Sequence, residues 1–489
     1  MEDTVARTSV NWLAHWAEVS PNDTALVIEP LGSISFGRLA DSVAGMAKLL
    51  AEAGVLPGML MGIETADQQG HIVALLACEA LGACTVSFGA EDLATGDGLV
   101  ARCDWLLSEN APHPSAAPRR WLRLDPAFAA RLATVTLGHG DMARLNRPIV
   151  PDALACLIRS SGTTGVRKVF GQPAANIVSE VQTRCRAYGP KDRAKAVINL
   201  YPFPTYVAYH NLQASLYNGS ALHMVSMEHF DRVVAVVPSF HVSVVQGQLP
   251  LLIEKYSLGF ERASLRTLSI IGAQVPEGMW AQLSPLRFAR ALNAYTTSEV
   301  GTFSFSTNGE PYTIVADSEA RIVDEQGRPV ALGSAGLIEI RTPRMTKGYL
   351  WNPELTQKHF VDGWFRSYDI GFMPAPGRLI VGGRGDDVMN IGGTKIMPGV
   401  YEAKLREIAG IRDAVLINIK DQTQVDHLHV VVEGDGLTLN DDLVSTVLRS
   451  VAGLCDKCWV HVLNPMPRTE TGKVRRVEIR ELLASQTVG

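Results

Sequence analysis

Seven cysteines in 489 residues, Cys78, Cys84, Cys103, Cys156, Cys185, Cys455 and Cys458, make an odd and irregularly spaced set, which argues against a disulfide framework. Cys455 and Cys458 form one CxxC with no second pair and no histidine pattern beside it. Chance spacing is therefore the preferred reading over zinc or redox work. Charge is scarce too: Asp, Glu, Lys and Arg make up 19%, the formal net charge is -5, and no basic block stands out. Nucleic acid is not expected as a partner, and a small molecule is. Long hydrophobic runs are missing as well. The most apolar window, Ile72 to Phe88, contains Glu79 and Gly82 and reads as a buried helix running into a strand, not a membrane span. The opening MEDTVARTSVNWLAHW has acidic residues early and no apolar core segment, so no secretory signal is expected and the protein is expected to be cytoplasmic. Fixed-period repeats and low-complexity tracts are absent.

What is there is an ordinary globular composition, 46% hydrophobic, in a chain too long for one compact core. Strand-like and helix-like segments alternate. Ser33 to Phe36 reads as a short strand, Phe36 to Ala53 as a helix ending at Gly54, Met59 to Ile63 as a strand, and Gly70 to Leu81 as a helix. Ala194 to Leu200, Val233 to Val237 and Leu265 to Ile271 fit buried strands. This βα rhythm predicts largely parallel sheets with helices on both faces. From about Arg321 the texture turns β-rich, with RIVDEQGRPV folded about an Asp-Glu-Gln-Gly turn and LIEIR as a further strand. The glycine- and charge-dense stretch Gly382 to Gly393 suits a hinge. Beyond it the spacing predicts helices over Pro398 to Ile408 and Leu443 to Ala452, with strands at Ala414 to Ile419 and His427 to Val432. The expected architecture is α/β: a large N-terminal domain, residues 1–384, of mixed, mostly parallel sheets flanked by helices plus a β-rich subdomain. A small mobile α+β domain, residues 385–489, follows.

One stretch invites chemistry. Ser160-Ser161-Gly162-Thr163-Thr164-Gly165 lies between the apolar run Ala153 to Leu157 and the basic pair Arg167 and Lys168. Glycines let backbone N–H groups converge and hydroxyls add donors, so the run is either a solvated turn or an anion nest. It is not a Walker A loop, because Lys168 follows Gly165 by three and precedes Val169.

Read with five later segments, the stretch resembles the signature of the superfamily of adenylate-forming enzymes. That superfamily includes acyl- and aryl-CoA synthetases, the adenylation domains of nonribosomal peptide synthetases, and beetle luciferases. Ser160 to Lys168 is similar to [ST]SGTTGxPK, with Arg167 in place of proline. Tyr295-Thr296-Thr297-Ser298-Glu299 resembles YGxTE, and Gly336 to Thr356 resembles GEL…GYxxxPExT. Gly363 to Asp369 resembles GWxxTGD, Gly383 to Asp387 matches GRxDD, and Pro467 to Lys473 fits PxTxxGK. The six occur in the family's order.

The resemblance implies ATP and Mg²⁺ as cofactors and a carboxylic acid as substrate. Ser160, Ser161, Gly162, Thr163, Thr164, Gly165 and Lys168 would hold the β- and γ-phosphates, with Thr163 counted among the catalytic groups. Glu299 would ligate Mg²⁺, for which a hard carboxylate oxygen is suited. Tyr295 would stack on adenine. Gly272, Ala273, Asn293, Ala294, Thr296 and Ser298 would line the nucleotide site. Asp369 would accept from the ribose hydroxyls, as a carboxylate can do bidentately. Arg384 would contact ribose or phosphate, Asp386 would be the hinge, and Lys473 would be the catalytic cation neutralising charge at the carboxylate and α-phosphate.

The resemblance implies that the acid is read by the segments around Tyr201 to Tyr209, Val237 to Val244, Ile270 to Gln274 and Asn293 to Ala294. The candidate pocket residues are Tyr201, Phe203, Tyr206, Phe240, His241 and Ile271. Their aromatic character suggests an apolar pocket for an aryl or medium acyl group. No acidic residue appears in YPFPTYVAYHNL to pair an α-ammonium, which disfavours ordinary amino acids. His241 either touches the carboxylate or is a packed core histidine. The chain also departs from the family pattern: Tyr295-Thr296 replaces Tyr-Gly, Ser367-Tyr368 replaces Thr-Gly, Asn390 replaces a common lysine and Val169 a glycine.

The leading expectation is a ligase that forms an acyl adenylate and passes the acyl group to CoA. The runner-up loads the phosphopantetheine of an acyl carrier protein, acting in trans. A luciferase-like oxidoreductase and a non-catalytic nucleotide-binding scaffold are the remaining readings. The second of these is opposed by the presence of Lys473 and Glu299.

Overall fold

The computed structural model describes residues 8–29, 31–148, 150–160, 168–189, 193, 196–259, 267–275, 277–283, 286, 288–385, 389–391, 394–396, 398–406, 408–420, 426–434, 436–451, 458–468 and 474–486. The apolar periodicities of the first hundred residues become the expected alternation. The helix Phe36–Ala53 starts at Ser35, whose hydroxyl accepts from the Arg38 N–H, and stops at Gly54 in the left-handed region (φ 96°). Its buried positions Phe36, Leu39, Val43, Met46 and Leu50 recur at helical spacing and face the main core. Gln68–Leu81 is capped by Asp67 and is buried nearly all round.

Two sheets meet these helices. In the smaller, the order is Trp121–Arg123, Trp105–Ser108, Leu60–Glu64, Cys84–Ser87, Leu154–Ser160, Lys168–Pro173. All neighbours pair in parallel except the last, an antiparallel hairpin in which Ser160 faces Lys168.

The larger sheet changes character across its width. Thr24–Ile28, Leu222–Met224, Ala196–Asn199, Ser239–Val245, Thr267–Ile271 and Arg290–Thr297 form a parallel run. From Gly301–Ser306 onward, through Tyr312–Ile314, Arg378–Arg384, Trp364–Ala375, Gly336–Arg341 and Glu319–Val323, every pairing is antiparallel. The β-rich region after Arg321 is thus continuous with the parallel sheet.

Past residue 398, Asp413–Lys420, Asp426–Glu433 and Cys458–Val462 form a separate sheet. Its residues alternate between two cores. Leu416, Leu428, Val430 and Val432 join Leu405 and Val447 from the helices Pro398–Arg406 and Asp441–Ser450. Val415, Ile417 and Val431 join Ile479 and Leu483 from Arg476–Gln486.

Val233 to Val237 is not the expected strand: Phe230–Val236 is helical, with Phe230, Val233 and Val234 buried at i, i+3 and i+4. A five-residue apolar run carries no periodicity that separates the two states. Five of the cysteines are buried thiols, and burial pushes Cys78, Cys84 and Cys103 up to about 12, so these three stay protonated and inert. Cys455 lies outside the described residues. Among the described residues, no helix is long and apolar enough to cross a membrane.

Candidate active site

In an open α/β sheet, ligands bind beyond the carboxyl ends of the parallel strands. Of the residues singled out by motif, Gly272, Ala273, Tyr295, Thr296, Ser298 and Glu299 lie at such ends. Thr267–Ile271 ends at Gly272, whose φ of 93° is a turn conformation that favours glycine. Arg290–Thr297 ends in the turn that carries Ser298 and Glu299. Asn293 ties the two together: its amide donates to the carbonyls of Ile270 and Ala273, and its Oδ1 accepts from the Val275 N–H and the Tyr312 hydroxyl. Asn293 is 1% exposed and all its carboxamide bonds are spent on protein, so it positions the Gly272–Ala273 turn. Ala294 is core, Thr296 and Ser298 are half-buried, and the Ser298 carbonyl accepts from Gln172.

The charged residues form one connected cluster. Asp369 and Arg384 are cross-strand partners. The Tyr295 hydroxyl donates to Asp369 Oδ2, while its ring packs on Phe303 (centroids 4.8 Å apart) and Tyr312 (5.8 Å). Burial, reinforced by the Asp369 carboxylate, pushes the Tyr295 phenol well above its usual range, so it remains a donor. The Lys168 ammonium donates to the Tyr368 hydroxyl at 2.6 Å and sits 3.8 Å from that ring's centroid. The Arg384 guanidinium is 5.1 Å from the same centroid.

On the other side of Lys168, 5.7 Å from its ammonium, lies the Tyr349 ring. The Tyr349 hydroxyl donates to Glu299 Oε1 at 2.8 Å. Burial and the neighbouring Glu299 carboxylate push this phenol up as well. His359 packs against Tyr368 (4.3 Å), donates from Nδ1 to the Arg366 carbonyl, and is held neutral because burial lowers its pKa.

Lys168, Glu299, Tyr295, Asp369 and Arg384, drawn from segments up to 216 residues apart, are therefore linked through Tyr349 and Tyr368. Sequence reasoning named neither Tyr349 nor His359 as site residues, although Tyr349 lies in the Gly336 to Thr356 motif and could have been found there. Ser161, Gly162, Thr163, Thr164, Gly165, Asp386 and Lys473 lie outside the described residues, but the ends of two of their loops do not. Ser160 and Lys168 close the hairpin below residues 161–167. Arg468 and Val474 bridge below residues 469–473, and Arg468 is anchored to Asp413 (2.8 Å) and Glu433.

Of the acid-pocket candidates, Tyr201 is 2% exposed and its hydroxyl accepts from the Val245 N–H (2.7 Å) and donates to Gln248 (2.8 Å). Phe203 is buried and stacks on His71. Tyr206 heads the helix Tyr206–Asn218, capped by Thr205, and is half-buried, as is Ile271. These four lie at or just past carboxyl strand ends. His241 does not. It lies toward the amino end of Ser239–Val245, wholly buried, stacked on Tyr188 at 3.9 Å and bonded to Ser243. The structure places it in the packed core, the second of its two readings. The Phe240 side chain lies outside the described residues.

Among the described residues, no three His, Cys, Asp or Glu side chains converge as a metal cage. Glu299 is a buried carboxylate, and such a donor fits Mg²⁺, which takes one or two protein carboxylates and fills its shell with phosphate oxygens and water.

The model of the AMP-binding enzyme family matches residues 99–350, more than half the chain. The chain is 26% identical to a feruloyl-CoA synthase from Amycolatopsis sp over 96% of its own length and 98% of the relative's. It is 26% identical to 4-coumarate–CoA ligase 5 from Oryza sativa subsp. japonica, covering 93% and 90%. The crystal structure of ATP-bound MatB from Rhodopseudomonas palustris has the same fold, with a TM-score of 0.83 at 20% identity over 97% of this chain and 98% of that one.

Proposed function

Because the chain belongs to the family of AMP-binding enzymes, we propose that it is an AMP-forming acid–thiol ligase: it activates a carboxylic acid with ATP and passes the acyl group to CoA. The observation that carries this reading is the cluster in which Lys168, Glu299, Asp369, Arg384 and Tyr295 meet. The full-length relatives named above support CoA as the acceptor.

In the first half-reaction a carboxylate oxygen bonds to the α-phosphorus of ATP, the bond from that phosphorus to the bridging oxygen breaks, and pyrophosphate leaves. Nucleophile and electrophile are both anionic, so fixed positive charge and aligned donors lower the barrier. Lys168 and the 161–167 loop would hold the β- and γ-phosphates, and Asp369 the ribose. Tyr295, packed on one side by Phe303 and Tyr312, would offer its ring to adenine. Glu299 would hold Mg²⁺, which supplies charge neutralisation to the phosphates. In the second half-reaction the CoA sulfur bonds to the acyl carbon, AMP leaves, and a thioester remains. Lys473 would serve the first half-reaction, carried by the unit that begins at residue 385 and turns about Asp386. The acid would be aryl or medium acyl, its apolar body against Tyr201, Phe203, Tyr206 and Ile271.

The test is a mass-spectrometric assay with ATP, Mg²⁺, CoA and a panel of aryl and acyl acids. The proposal expects AMP and an acyl-CoA in equal amounts with at least one class of acid. AMP formed with an acid but with no thioester would overturn CoA as the acceptor.

A further inference from the structure

Tyr368 stands beside the ribose-directed Asp369, in a motif whose family pattern has glycine there. The side chain that replaces glycine's hydrogen carries two cations close to its ring. Lys168 donates to its hydroxyl at 2.6 Å and lies 3.8 Å from the ring centroid, while the Arg384 guanidinium is 5.1 Å from that centroid. His359, neutral and buried, backs the ring at 4.3 Å. A long lysine left in solvent would sample many rotamers, and binding phosphate would then cost the entropy of ordering it. A phenol oxygen engages one of the ammonium's three N–H donors and so fixes where the ammonium sits. An aromatic face is attractive to both cations at once.

We propose that Tyr368 is a positioning residue that pre-orders Lys168 and Arg384 for the triphosphate of ATP. Tyr368 acts through Lys168, so it discriminates by phosphate number and favours ATP over AMP. This rests on the ATP-dependent reading above and adds to it a residue that the family pattern does not supply.

The test is isothermal titration of the full-length protein with ATP–Mg²⁺ and, separately, with AMP, in the absence of acid so that no turnover occurs. Tyr368→Phe keeps the ring and removes the hydroxyl; it is expected to weaken ATP about fivefold and to leave AMP unchanged. Tyr368→Ala removes ring and hydroxyl and is expected to weaken ATP about thirtyfold. Melting temperatures of both variants accompany the titrations. Unchanged ATP affinity in both variants overturns the positioning role while leaving the ligase reading intact. An equal loss for ATP and AMP in Tyr368→Phe also overturns it, since the effect would then lie in the nucleoside pocket or in general destabilisation. Failure of the unsubstituted protein to bind either nucleotide overturns the ligase reading, and the positioning role with it.

Discussion

The hydroxyl of Tyr349 offers a way to perturb Glu299 without touching its charge. Tyr349 is 5% exposed and Glu299 8%, and the bond between them is 2.8 Å long. Tyr349→Phe deletes the donor and nothing else. The ring still packs on Phe360 (5.6 Å), His359 (6.2 Å) and Phe170 (6.4 Å), so no cavity opens. A hydrogen bond to a buried charged group contributes about 1.5–3 kcal/mol, and losing the partner that orients a metal-binding carboxylate typically lowers metal affinity or activity about 10–100-fold. The variant should therefore need about 10–100-fold more Mg²⁺ for half-maximal ATP–pyrophosphate exchange, with a melting temperature lowered by several degrees and a cooperative transition retained. Exchange would be titrated against Mg²⁺ at saturating ATP and acid. An unchanged Mg²⁺ half-saturation, in a folded variant, would refute the placement of Glu299 at the metal.

Three other perturbations probe different parts of the account. Lys473→Ala is expected to abolish adenylation while ATP still binds by titration; retained pyrophosphate exchange would remove Lys473 from the first step. Arg344 is 1% exposed, with both terminal nitrogens on Asp317 (2.8 and 2.9 Å) and its Nε 3.6 Å from the buried Glu180. Arg344→Met removes the cation from both carboxylates while Glu180 keeps its bonds to Thr302, and it should cost about 1.5–3 kcal/mol in urea unfolding; a loss under about 0.5 kcal/mol would contradict the network. His71 is wholly buried, and burial lowers its pKa from 6.5 to about 3. As pH falls through 6.5 the unfolded chain gains a proton that the folded chain refuses until about 3, so stability drops on the acid side. At pH 5 the loss from this group is about 2 kcal/mol. His71→Phe should flatten the difference in urea midpoint between pH 7.5 and pH 5, and an unaltered difference would exclude His71 as its source.

The parts of the fold that are local in sequence were legible in it. Phe36 to Ala53 carries its own periodicity, its serine cap and its stop glycine, and Gln68–Leu81 is bracketed by Asp67 and Gly82 in the same way. Order along the chain identified the motifs, and Lys168, Glu299, Tyr295, Asp369 and Arg384 do meet. What could not be read are contacts whose partners are far apart. The Lys168–Tyr368 bond spans two hundred residues, and Glu299–Tyr349 fifty. Tyr349 stands in a motif, but only the fold shows that its hydroxyl reaches Glu299, and nothing local to His359 marks it. Tyr368 was visible as a departure from a pattern, but its meaning came only with the two cations on its ring. His241 shows the limit from the other side: a histidine in an apolar strand reads alike at either end, and its position toward the amino end of the strand decides the matter. The strand misassigned at Val233 to Val237 failed because a short apolar run is compatible with both periods.

The central claim is that this cluster makes an acyl adenylate. Acid-dependent exchange of labelled pyrophosphate into ATP, measured without CoA across aryl, medium acyl and amino acids, isolates that step from the choice of acceptor. The account predicts strong exchange with an aryl or medium acyl acid and none with ordinary α-amino acids. Exchange driven by an amino acid would contradict the acid pocket, and no exchange with any acid by a protein that binds ATP would contradict adenylation itself.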